Sequence, residues 1–111
     1  GDPAAALPAT VPAIRRLLAE TGLPLHQVDR WELEEVHAAR HLDLLGGLPE
    51  VDPDRVNVRG GSFALGRPLG ASGARILVTL LHILQDQDLR FGVAALDAGD
   101  GTGLALAVER L

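Results

Sequence analysis

The residues best placed to do chemistry lie in the stretch Val56 to Leu84, VNVRGGSFALGRPLGASGARILVTLLHIL. Gly60, Gly61, Gly66, Gly70 and Gly73 fall within fourteen residues, so the backbone there can adopt positive φ and pass close to another group. Ser72 stands just before a long apolar run, where it is expected to cap a helix whose first N–H groups face the turn. Such a corner suits an anion. It is not a P-loop, which needs a lysine: all ten basic residues are arginines. The later segment GDGTG precedes a strand instead of a helix, so a dinucleotide fingerprint fails. DAGDGTG, starting at Asp97, has Val108 where a calcium loop places its bidentate glutamate. His37 and His41 are four apart with Glu34 one turn before, a spacing that can hold a metal. No further ligand cluster accompanies them, and they read as a solvated polar face. With no cysteine anywhere, the chain offers no thiol nucleophile, thiolate site or disulfide.

The elements that must position these residues follow from apolar spacing. Residues 1–9 read as a flexible Ala/Pro segment and residues 10–111 as one domain, large enough to bury about two-thirds of its unfolded surface. Thr10 is expected to cap a helix whose stripe is Ile14, Leu17 and Leu18, stopped by Gly22 and Pro24. Val28 to Leu33 is expected as a short strand, with a helix from Glu34 to Leu45 in which Glu34 and Glu35 complement the macrodipole. Gly46 and Gly47 end that helix, and Leu48 to Arg55 is a loop. The helix after the glycine turn is apolar almost all round, its polar seam being Arg75, Thr79, His82 and Asp86, so it is expected to be covered on more than one side. His82 then reads as a hydrogen-bonded core histidine and Trp31 as a core anchor. Gly92 to Leu96 and Leu104 to Val108 make an antiparallel hairpin in mid-sheet, since neither run shows a solvent face.

Composition limits the partners. The formal charge is −5, which argues against nucleic acid because phosphate neutralisation needs a basic face. No apolar run approaches the roughly 20 residues that span a bilayer, so no membrane partner is expected. With three aromatics and 47% hydrophobic residues, the core must be built from Leu, Val, Ile and Ala. Methionine is absent even at position 1, and the chain reads as a processed product or a piece of a longer protein.

Four blocks, in order and at similar spacing, resemble the thiolases. GRPLGASGARILVTLL is similar to the family's GHPLGASGARILVTLL, and VNVRGGSFALG to VNVNGGAIALG. WELEEVHA from Trp31 is similar to WEINEAFA, and GVAALDAGDGTG from Gly92 to GLATLCIGGGQG. The resemblance covers nearly the whole chain and implies an α/β thiolase-like C-terminal domain, with a mixed β-sheet, a buried central helix and a first strand that is missing here.

The resemblance also implies roles. In thiolases a cysteine of the N-terminal half is acylated, the GHP histidine activates it, a second cysteine moves the α-proton of acetyl-CoA, and the NEAF asparagine holds an oxyanion-hole water. In this chain the first nucleophile has no counterpart, the histidine position is Arg67, the second cysteine position is Asp97 and the asparagine position is Glu34. Gly99, at an oxyanion-hole N–H position, is kept, as are Glu35, Gly101 and Gly103. Arg67 cannot act as a base because it stays protonated, and Asp97 cannot attack a thioester as a thiolate does. Two readings follow. One is a degenerate, non-catalytic half that packs on an N-terminal half or partner chain, or self-associates as a homo-oligomer, and shapes an acyl-CoA pocket in the cytoplasm, in lipid metabolism. The other is an acyltransferase or carbon–carbon lyase in which Arg67 holds a carboxylate or phosphate and Asp97, with Glu34, acts as a base. No metal and no cofactor is called for by either. Arg67 is expected in ion-pair reach of Asp97 or Glu34 around one cavity. An upstream half bearing a cysteine at a helix N-terminus would discriminate between the two readings.

Overall fold

The computed structural model describes residues 8–34, 38–59, 69–97 and 102–111, except for the side chains of 38–42 and 69. Its frame is a mixed three-stranded sheet in the order β1-β2-β3, with β1 Arg30–Glu34, β2 Phe91–Asp97 and β3 Gly103–Glu109. β1 and β2 are parallel, pairing Arg30 with Gly92 through Glu34 with Leu96. β2 and β3 form the expected hairpin, from Phe91 with Glu109 to Asp97 with Gly103.

Because side chains alternate across a strand, the central strand β2 sorts the core into two. Val93 and Ala95 join Trp31, Leu33, Val11, Ile14, Leu44 and Leu48, bringing α1 (Thr10–Thr21) and α2 (Ala38–Gly47) onto one face. Ala94 and Leu96 join Ile76, Leu80 and Leu84 on the other, under α3 (Leu69–Asp86). Trp31 is the anchor expected of it, at 1% exposure.

Gly22 ends α1 as read from sequence, with φ 72 and its N–H donating to the Leu18 carbonyl at 3.0 Å. A Cβ at that φ would be strained. The start of α1 differs. Thr10 is the first helical residue and fully buried, and Ala9 occupies the cap position without a side-chain cap. This end lies on the hairpin: a Cβ added at Gly103 would come within 2.3 Å of the Ala9 carbonyl oxygen, so packing on β3 sets where the helix begins.

Other expectations need correcting. Glu34 is the last residue of β1, not the first turn of a helix, because pairing with Leu96 extends the ladder by one residue. Ser72 is not a cap. α3 begins at Leu69, and Ser72 is buried inside it, one turn before Ile76 on the sheet-facing side. Gly73, whose added Cβ would touch only the Leu96 side chain at 3.5 Å, lets this turn sit against the sheet. α3 is buried along Ile76, Leu80, Ile83 and Leu84, whereas Val78 is 51% and Leu81 43% exposed. The second covering that its all-round apolar sequence implies is not among the described residues. His82 lies on that open side and is exposed, not a core histidine. β2 is in mid-sheet, but β3 has a strand partner on one side only among the described residues, with Leu104 and Leu106 partly exposed.

Candidate functional site

At the carboxyl ends of β1 and β2 two buried acids end neighbouring parallel strands. Glu34 is 1% exposed and Asp97 8%. Strand alternation places Glu34 on the α3 side with Leu96, and Asp97 on the α1 side with Val93 and Ala95. Alternation thus starts the two side chains from opposite sides of the sheet, and the cavity expected around them with Arg67 falls on residues outside those described. Arg67 and Gly99, the other candidate residues, lie outside the described residues, as do Glu35 and His37 and the side chain of His41.

Glu34 is held by Arg75, one turn beyond Ser72 on α3, whose Nη2 donates to Glu34 Oε1 in an ion pair. The carboxylate is sealed while the arginine side chain is about one-third exposed, at 35%. Glu32, two residues earlier on the same face of β1, is also buried, at 4%. Burial pushes its carboxyl up to about 7; Arg75 and Arg59 oppose the rise, while Glu34 adds to it. Three buried polar atoms here, Glu32 Oε1, Ser72 Oγ and Arg75 Nε, have no hydrogen-bond partner among the described residues.

Sequence reading missed this cluster. Its signal was available in part: Glu32 and Glu34 are two apart, which in a strand puts both on one face, and Arg75 heads the polar seam of an otherwise apolar helix. A second missed residue is Asn57, with φ 49. Its N–H donates to the Trp31 carbonyl at 2.8 Å. Its side-chain amide accepts from Leu33 N–H and donates to the Leu33 carbonyl, both at 2.9 Å. Val56 makes the adjoining parallel bridge to Trp31, so residues 56–57 stand in for a fourth strand and fix the outer side of β1.

On the same face as Glu32 and Glu34, but at the far edge of the sheet, a groove of about 480 Å³ runs between α3 and β3. Ala74, Leu77, Ala94, Leu104 and Leu106 line it, without a charged side chain. Among the described residues no group of three His, Cys, Asp or Glu gathers into a metal site, and no helix is long and apolar enough to cross a membrane.

Comparison with known proteins agrees with this architecture. The sequence model of the family described as thiolase, C-terminal domain, matches residues 1–110. The acetyl-CoA acetyltransferase of Escherichia coli (strain K12) is 48% identical over 101 residues, covering 91% of this chain and 25% of that protein. The cytosolic acetyl-CoA acetyltransferase of Mus musculus is 47% identical over 100 residues, with 90% and 25% covered. The crystal structure of the Bacillus anthracis acetyl-CoA acetyltransferase superposes with a TM-score of 0.84 at 40% identity, over 93% of this chain and 26% of that one. The chain thus spans about a quarter of the length of these relatives.

Proposed function

The chain belongs to the thiolase family as its C-terminal domain, and from that premise we propose that it is inactive by itself and packs on a companion half, where it helps to shape an acyl-CoA pocket. The observation that carries this reading is the bare apolar face. The groove between α3 and β3, together with exposed Val78 and Leu81, is surface of the kind that marks an interaction site. The relatives, about four times longer, contain further chain that could supply the covering layer, and a thiolase-like partner chain or second copy would serve the same face. In this reading the domain is a cytoplasmic component of acyl-CoA and lipid metabolism.

Loss of the family's chemistry has support in the residues. Relative to the thiolase pattern, Arg67, Asp97 and Glu34 replace histidine, cysteine and asparagine. Glu34 has its carboxylate engaged by Arg75, so it is poorly placed to orient a water as an asparagine amide does. The second reading, acyl transfer with Asp97 and Glu34 as the working acids, is favoured by their burial at adjacent strand ends, where a carboxyl can be tuned for proton transfer. Their opposite faces oppose it, because two groups that share one substrate must reach it from one side.

The test is thiolysis. The purified chain, given acetoacetyl-CoA and CoA, is expected to show no turnover above the uncatalysed rate, and Arg67→His, which restores the family's GHP motif, is expected to remain inactive because no thiol is present. Turnover by the unmodified chain that is lost in Asp97→Asn would establish the second reading instead.

A further inference from the structure

Two acids two residues apart on one strand face have Cα atoms about 7 Å apart. Glu32 and Glu34 occupy such positions on β1, both are buried, and one guanidinium, that of Arg75, faces them from α3. Arg75 serves Glu34 directly. Glu32 keeps a buried oxygen without a hydrogen-bond partner among the described residues. Arg59, the other cation bearing on Glu32, donates to Asp86 in an ion pair of its own. β2 contributes no charge on this side, since Ala94 is the register partner of Glu32 and alternation assigns Asp97 to the other face. The remaining titratable group of α3, His82, is exposed. Among the described residues the two buried carboxylates therefore share one directly bonded cation, and Glu32, with a buried oxygen that lacks a partner there, would carry its full negative charge desolvated.

We infer that Glu32, Glu34 and Arg75 form a buried proton-binding cluster, in which Glu32 takes up one proton as α3 packs onto β1. The proton neutralises the carboxyl that no described cation bonds directly. It makes Glu32 a neutral carboxylic acid that can donate a hydrogen bond, and it leaves Arg75 to Glu34 alone. The packing of α3 on the sheet is thereby linked to pH near neutrality. This inference is independent of the proposed function, since it concerns the fold of the chain and no activity.

The sign follows from linkage. The carboxyl is pushed from an ordinary value of 4.5 to about 7, so between these values the folded chain holds a proton that the unfolded chain lacks. Stability from this group is complete below about 4.5, falls as pH rises through the window, and is gone once the folded carboxyl ionises. The experiment is urea unfolding of the 111-residue chain at a series of pH values from about 4.5 to 8. The midpoint is expected to fall with rising pH, with a slope approaching one proton released on unfolding near pH 6. Glu32→Gln, which keeps a neutral hydrogen-bonding head, is expected to remove that slope. Glu20→Gln, on exposed α1 surface, is expected to retain it, which separates the cluster from the loss of any one carboxyl. A wild-type midpoint that is level or rises with pH would overturn the inference, as would a Glu32→Gln variant that declines as steeply as wild type. Should that variant fail to fold, carboxyl-carbon NMR of the wild-type chain decides: a Glu32 signal titrating near 7 supports the cluster, and one near 4.5 overturns it.

Discussion

The two faces of one sheet differ in kind. The face under α1 and α2 is closed and apolar over most of its area, with Trp31, Ile14, Leu44 and Leu48 at 1% exposure or less. The face under α3 carries two buried acids along β1, met by an arginine of α3, and its leucines on β3 are 40–47% exposed. Both are drawn from the same strands by simple alternation. The first face therefore holds most of what makes the chain fold, and the second holds charge and uncovered surface whose account requires protons or a partner.

Breaking the closed face should have the largest effect. Trp31→Ala is expected to cost about 3–5 kcal/mol, the range for removing a large buried aromatic, and to leave little folded chain at ambient temperature by circular dichroism. A loss below about 1 kcal/mol would mean that this face is not the stability centre.

On the other face Arg75→Ala should come next. A fully buried pair broken from one side loses about 3–5 kcal/mol, and the one-third exposure of this side chain lowers the expectation to about 2–3 kcal/mol. The loss should be greater near pH 8 than near pH 5, because Glu32 is then ionised beside Glu34 and loses the one charge that opposes its burial most. Equal losses at the two pH values in urea titrations would remove the electrostatic distinction between the faces.

The smallest effect on stability belongs to the open groove. Val78→Ser with Leu106→Ser is expected to change unfolding free energy by less than about 0.5 kcal/mol per site, as partly exposed positions usually do, while lowering self-association in sedimentation equilibrium at micromolar concentration. A non-associating wild-type chain would show instead that this face is tolerated bare.

What the sequence made legible was local or periodic. Gly22 stopped a helix because a left-handed residue needs no partner to be recognised, and the hairpin was visible because two apolar runs flank turn residues. The family blocks carried the architecture. Glu34 was misread because its preference for a helix first turn is worth at most about 1 kcal/mol, against a ladder with β2 and an ion pair to Arg75, 41 residues away. Ser72 was misread for a similar reason, since a good capping residue also fits inside a helix whose small residues must approach a sheet. The open side of α3 could not be seen, because an all-round apolar helix looks the same whether or not its second covering belongs to the same chain.

The amide of Asn57 does the work of a peptide unit. By giving Leu33 one donor and one acceptor, it occupies the margin of β1 with a side chain in place of a strand, so among the described residues growth of the sheet stops there as a chain reaction is stopped by a capping agent. Among the described residues the opposite margin, β3, has no such terminator. A sheet with one living end, as the described residues have, can add a strand in one direction only. Two copies that joined margin to margin would each consume their growing end, and the assembly would stop at a pair instead of propagating as a fibre.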